Sequence, residues 1–111
     1  MVEEQFDNSD YGIYSYEAID IIKSFFNSNL PLFALINSYA DSPYWGIKYS
    51  YKEIRISMEG DTGYSTTIII NGEEYPLWQY DRNVIKANKT NKKNILYALN
   101  VIKKFLSETS S

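Results

Sequence analysis

The stretch that decides the fold is residues 65–75, STTIIINGEEY. Its first half is dominated by β-branched residues, which favour strands. Asn71-Gly72 then supplies the residue pair that a type I′ hairpin turn prefers. Pro76, directly after the stretch, lacks an amide hydrogen, so the returning arm is predicted to be an edge strand or to be bulged there. An antiparallel hairpin is therefore expected.

Upstream of this hairpin, apolar residues alternate with a period of two from Trp45 to Met58. The apolar residues change from odd to even positions between Ser50 and Glu53. A continuous strand cannot make this change without a one-residue slip, which would move every following side chain to the other face of the sheet. The change therefore predicts a bulge or a tight turn. Trp45 and Trp78 both lie in alternating patterns and are predicted to be in the core.

Helical periodicity is confined to the two ends of the chain. Ser15 can cap a first helix over residues 16–27, and Thr90 or Asn91 can start a last helix with an amphipathic stripe. Between the first helix and Trp45, Pro31 suits the first turn of a short second helix. Residues 32–36 could equally form a buried strand, and the pattern does not separate the two.

These elements predict one α+β domain over residues 1–111. It has an antiparallel sheet of about four strands from the middle of the chain, with the N- and C-terminal helices packed on one face. The 111 residues suffice for one hydrophobic core.

The composition excludes most catalytic chemistry. The chain has neither Cys nor His, so thiolate and imidazole nucleophiles, bases and metal ligands are excluded. The adjacent Glu73 and Glu74 would point to opposite faces of a strand, and the five glycines form no phosphate-binding motif. The Gly60–Gly63 loop lacks the acidic spacing of a calcium site. We therefore expect no enzyme activity, no metal and no cofactor.

Charge is distributed unevenly along the chain. Residues 1–81 carry thirteen acids and four bases, whereas residues 82–104 carry seven bases and no acid. Such an asymmetry indicates an acidic surface and a basic stripe, which act on association and partner choice rather than on fold. The basic segment could instead contact nucleic acid, although the acidic pI of about 4.9 argues against that.

Tyrosine is unusually abundant, with eleven residues, ten of them between Tyr11 and Tyr80. Tyrosine combines a large apolar ring with a polar tip at little rotamer cost, which suits protein-binding surfaces. In a small β domain it also suits half-buried sheet faces. The N-terminal ten residues are acidic and lack the apolar region of a secretory signal, and no apolar run could span a membrane. We therefore expect a cytoplasmic protein that does not bind membranes.

The length, the acidic balance, the aromatic residues at 11–16 and 44–51 and the lack of catalytic residues together resemble the small immunity proteins of bacterial toxin systems. These include the systems of contact-dependent growth inhibition and of bacteriocins. The resemblance covers the profile of the whole chain and transfers no site residues. It implies a protein that blocks a cognate basic toxin stoichiometrically, and the expected toxin is a nuclease, whose cleft binds polyanions.

The residues predicted to contact the toxin are acidic and tyrosine residues of the N-terminal segment and of the hairpin loops. They are Asp7, Asp10, Tyr11, Asp61, Tyr64, Glu73, Glu74, Tyr80 and Asp81. Two alternatives fit features of the same sequence: an inhibitor or regulator of another host or phage protein, and a nucleic-acid-associated domain that uses residues 82–104. The sequence does not indicate the oligomeric state.

Overall fold

The structure is a computed structural model that describes residues 12–61, 63–86 and 89–109. The elements, in chain order, are α1 (Ser15–Asn29), β1 (Ala34–Asp41), β2 (Tyr44–Tyr51), β3 (Ile54–Gly60), β4 (Tyr64–Ile70), β5 (Glu73–Pro76), α2 (Leu77–Tyr80), α3 (Asn83–Lys86) and α4 (Lys92–Thr109). The α+β class is confirmed.

Within the described residues the strands form one antiparallel sheet in the order β1-β2-β3-β4-β5. Each strand is followed by its neighbour, so the sheet is a simple meander with two edges, β1 and β5. The turns β1–β2 and β3–β4 consequently lie at one end of the sheet. The turns β2–β3 and β4–β5 lie at the other end, where the Asn71 amide donates to the Glu53 carbonyl over 3.2 Å.

The core lies between the inner face of the sheet and the helices α1 and α4. Trp45, Ile56 and Ile68 lie on this face and are almost fully buried. From the helices, Phe26 stacks on the Tyr49 ring with centroids 3.8 Å apart. Burial of such large apolar surfaces supplies most of the folding free energy. Both helices cover the same face, as the sequence predicts.

The hairpin turns have the predicted backbone. Asn71 and Gly72 both have positive φ, 53° and 84°, as a type I′ turn requires. At the parity change, Lys52 has a φ of 55° in the tight turn between β2 and β3. Both turns are therefore confirmed, and the second explains why the apolar parity changes there.

The helix starts differ slightly from the prediction. Helix α1 has Tyr14 rather than Ser15 as its N-cap, and Ser15 is buried in the first turn. At α4, the Asn91 side-chain oxygen accepts the Asn94 amide over 2.8 Å, so Asn91 is the cap that the sequence offered.

Two expectations are corrected. Residues 32–36 form neither a short helix nor a buried strand, because the residues from Ala34 onwards belong to β1, an exposed edge strand with a bulge between Leu35 and Asn37. With β1 the sheet has five strands, in agreement with the prediction of about four. Trp78 is 47% exposed rather than buried, because the chain leaves the sheet after Pro76 and α2 directs Leu77 into the core instead.

Candidate protein-binding surface

A shallow groove of about 430 Å³ lies at the end of the sheet that carries the β1–β2 and β3–β4 turns. It combines tyrosine rings, two carboxylates and small residues, and we call it the acidic groove. Its lining residues are Tyr39, Tyr44, Glu59, Gly60, Asp61, Gly63, Tyr64 and Ser65.

The sheet register places the groove residues side by side. Tyr39 lies opposite Gly46, Gly46 opposite Glu59, and Glu59 opposite Ser65, in one row across four strands. Neighbouring strands are about 4.8 Å apart, so side chains of one row that share a face are neighbours. Along β2 and β3, the residues of this row alternate with residues whose side chains are buried in the core. The row therefore lies on the outer face of the sheet.

Gly46 allows the tyrosine to approach the carboxylate. A Cβ atom on Gly46 would collide with the ring of Tyr39, so this ring lies directly over the glycine. The ring therefore leans from β1 across β2 towards Glu59. Tyr39 nevertheless remains 48% exposed and Tyr44, at the start of β2, 58% exposed. Both rings can contact a partner without rearrangement of the backbone.

The two carboxylates differ in their surroundings. Glu59 is an exposed residue of β3, whereas Asp61 belongs to the following turn, where its Oδ1 accepts the Gly63 amide over 3.1 Å. Asp61 therefore helps to fix the turn and also lines the groove. Asp41 adds a third acidic residue at this end, paired with Tyr44 across the β1–β2 hairpin. The end of the sheet is acidic and aromatic together.

Tyr64 lines the groove on the side that faces the core. Its ring packs near Trp45 with centroids 6.0 Å apart, and its hydroxyl donates to the Asn94 carbonyl over 2.7 Å. Burial raises the pKa of Tyr64 well above its usual value. The residue thus ties β4 to α4 and also lines the groove.

Glu73 and Glu74 lie at the opposite end of the sheet. They follow the β4–β5 turn, and the length of β4 separates them from Asp61 by about 20 Å. The Tyr75 hydroxyl donates to the Glu73 carboxylate over 2.9 Å, and this bond is the main cause of the raised pKa of Tyr75. These two acids are exposed, but they are not part of the groove.

Tyr80 and Asp81 connect the helical elements. The Asp81 carboxylate accepts the Tyr97 hydroxyl and the Asn83 amide, each over 2.9 Å. The Tyr80 hydroxyl donates to Glu108 of α4, and this hydrogen bond raises the pKa of Tyr80 to about 12. Both side chains therefore hold α2 and α3 against α4.

The structure thus brings together two of the predicted contact residues, Asp61 and Tyr64. The N-terminal predictions, Asp7, Asp10 and Tyr11, lie outside the described residues. Tyr39, Tyr44 and Glu59 were not among the predicted contact residues. The signal for Glu59 was present, because its parity opposes that of the buried Ile56 and Met58, but Tyr39 and Tyr44 lie in residues 37–44, for which the sequence predicted no element.

Four lysines of the basic segment lie in the opposite layer of the molecule, whereas Lys89 forms a bridge with Gly63 at the acidic groove. Lys92, Lys93, Lys103 and Lys104 are exposed on α4, which covers the inner face of the sheet. Lys103 donates to the Asn29 side chain of α1 over 3.1 Å. The acidic groove and these lysines consequently face different directions.

Comparisons with protein-family models, curated proteins and solved structures give no match to this chain. Among the described residues, no three acidic side chains cluster closely enough to hold a metal ion. The described helices include none with the length and apolar character needed to cross a bilayer.

Proposed function

We propose that the protein is an immunity protein that binds a cognate basic toxin through the acidic groove and blocks it stoichiometrically. The observation that carries the proposal is the row in which Tyr39 and Glu59 lie together on the outer face, next to Asp61. The resemblance of the whole chain to toxin-immunity proteins supports the same function.

The groove has the chemistry that this role needs. A nuclease cleft carries positive charge because its substrate is a polyanion, so carboxylates can occupy the positions of phosphates. Opposite potentials also accelerate the encounter of the two proteins. Tyrosine rings that are already half exposed give contact area at little entropic cost, and such residues are enriched among binding hot spots.

In this proposal the protein acts in the cytoplasm as a binding partner and not as an enzyme. The toxin is a nuclease whose active site is covered by the groove. Inhibition then requires one copy of the groove for each toxin molecule, and it requires no cofactor.

The test is co-expression with the product of the adjacent upstream gene, with cell survival as the readout. Glu59→Lys combined with Tyr44→Ala removes an exposed carboxylate and an exposed ring from the groove without touching the core. Glu74→Lys is the matched control, since it makes the same charge reversal on an exposed residue at the other end of the sheet.

Survival that is lost with the groove variant and retained with the control is the expected result. Equal survival with both variants would remove the groove from the function. If survival fails only when Lys92, Lys93, Lys103 and Lys104 are replaced, the basic helix is the active surface instead. If the wild-type protein neutralises no neighbouring product, the role as an inhibitor of another protein becomes the better explanation.

A further inference from the structure

We infer that β1 is the contact surface for a second copy of this chain, which pairs antiparallel with it and extends the sheet across a two-fold axis. In the sheet formed by residues 34–76, β1 is an edge strand of eight residues. An edge strand leaves alternate amide and carbonyl groups without a partner strand, which makes it a template for pairing.

β1 lacks most of the devices that usually prevent such pairing and has one of them, a bulge between Leu35 and Asn37. It contains no proline, and its only charged residue is Asp41 at its C-terminal end. Leu35 is 44% exposed and Ile36 is 53% exposed, although both are large and apolar. Leu32, just before the strand, is 72% exposed. The bulge at Ile36 is the one irregular feature along the strand.

Neighbouring elements leave room for the second strand. Helix α1 packs against β1 and β2, yet Ala40 on the inner face of β1 is exposed, so the helix does not cover the edge. On the outer face, the ring of Tyr39 leans back over Gly46 and away from the edge. Neither face of the strand therefore blocks an incoming backbone.

The charges of the strand favour an identical partner. A strand that is neutral from Ala34 to Ala40 presents no charge for a basic or an acidic segment to recognise. Pairing that keeps outer residues opposite outer residues can place Tyr39 opposite Tyr39 of the second copy. Asp41 of one copy then lies opposite Asn37 of the other, whose neighbour on β2 is Lys48. The two Asp41 side chains lie at opposite ends of the interface, so their repulsion is screened.

The interface is small, since one strand from each copy contributes the main contacts. Interfaces near the lower limit of about 1,000 Å² are weak or transient. We therefore expect a dimer that forms as the concentration rises through the micromolar range. Both acidic grooves lie on the outer face of the extended sheet. Tyr39 is the groove residue at the axis, whereas Tyr44 and Glu59 lie on β2 and β3, one and two strands away from it.

Sedimentation equilibrium of the intact protein over this concentration range tests the inference. The wild-type mass is expected to rise from one chain to two. Ala40→Lys places a charge on the inner face of the edge strand and should keep the mass at one chain. Gln79→Lys, an exposed residue of α2 with the same charge change, should leave the dimer intact.

Two further measurements distinguish loss of the dimer from misfolding of the variant. Ile36→Lys should also abolish the dimer, and it alters a side chain that is already half exposed. In the wild-type protein, hydrogen exchange of β1 amides should slow as the concentration rises, whereas exchange in β5 should not. A wild-type mass of one chain throughout would overturn the inference. So would a dimer that survives in folded Ala40→Lys and Ile36→Lys, or one that is lost in Gln79→Lys.

Discussion

The two edges of the sheet are built differently. β5 has four residues, carries Glu73 and Glu74, and ends in Pro76, whereas β1 has eight residues and one charge at its end. The chain continues from β5 into α2, and Phe105 of α4 packs near the Tyr75 ring with centroids 6.2 Å apart. Charge, proline and short length are features that close an edge against other chains. We therefore expect β1 rather than β5 to take part in the protein contacts proposed above; the acidic groove runs from β1 across to β4.

We call β5, which α4 packs against, the closed edge and β1 the open edge. The largest expected effect comes from removing a side chain that covers the closed edge. Phe105 is 8% exposed and contacts both Tyr75 and the Tyr80 ring, whose centroid is 5.2 Å away. Phe105→Ala should lower the free energy of unfolding by about 3–5 kcal/mol, because it removes a buried ring and leaves a cavity. Urea unfolding measures the loss.

The matched variant on the open edge is Leu35→Ala. Since Leu35 is already 44% exposed, its truncation should lower the free energy of unfolding by about 1 kcal/mol. Equal losses for Phe105→Ala and Leu35→Ala would show that the two edges are stabilised alike and would remove the contrast between them.

Alkaline pH should have the next largest effect, and it should act on the closed side. Hydrogen bonding to Glu108 raises the pKa of Tyr80 to about 12, and burial is the largest cause of the raised pKa of Tyr97. Unfolded tyrosine ionises near pH 10, so between about pH 10 and 12 the folded protein binds more protons than the unfolded one. The stabilisation is complete below pH 10 and is lost as the pH rises through 12.

The measurement is the urea midpoint at pH 9 and at pH 11, which should fall at the higher value. Glu108→Gln should move the titration of Tyr80, followed by tyrosinate absorbance, towards pH 10, because the charged acceptor is removed. An unchanged urea midpoint would contradict the statement that the folded protein binds more protons than the unfolded one in this pH range. An unchanged titration of Tyr80 would contradict its hydrogen bond to Glu108.

A smaller effect is expected at the turn that forms the closed edge. Gly72 has a φ of 84°, which a β-branched residue adopts only with strain, and its side-chain position is open to solvent. Gly72→Val should therefore cost about 1–3 kcal/mol through the backbone alone. Thermal unfolding measures it, and Glu73→Val is the control in the same turn region without a positive φ. A cost that is equal in both variants would argue against a backbone cause.

The smallest effect on stability is expected at the groove. Gly46→Ala would force the Tyr39 ring to move, but this ring is the end of a flexible and half-exposed side chain. We expect a change in the free energy of unfolding within about 0.5 kcal/mol. The change should instead appear in the NMR signals of the Tyr39 ring and in neutralisation of the toxin. Unchanged signals would contradict the approach of the ring to Gly46.

Local patterns in the sequence were sufficient for most of the fold. Asn71-Gly72 and the parity change near Lys52 specify turns through backbone conformation, and Asn91 specifies a helix start through a hydrogen bond. Each of these signals is contained within a few residues. The amphipathic stripe of α4 is equally local, since every third or fourth residue faces the core.

The groove could not be predicted in the same way because it depends on register. Tyr39 and Glu59 are twenty positions apart and become neighbours only through pairing with Gly46. β1 has no burial pattern of its own, since seven of its eight residues are exposed, so alternation could not identify it. Trp78 was placed wrongly because the alternation ended at Pro76, where a one-turn helix begins.

The most direct test of the contrast between the edges is a hydrogen-exchange footprint of the protein bound to the product of the neighbouring gene. Slower exchange at Tyr44 and at Glu59–Asp61, with no change in β5 and α2, is the predicted result. Slower exchange that is confined to β5 and α2 would contradict the assignment of protein contacts to the open side.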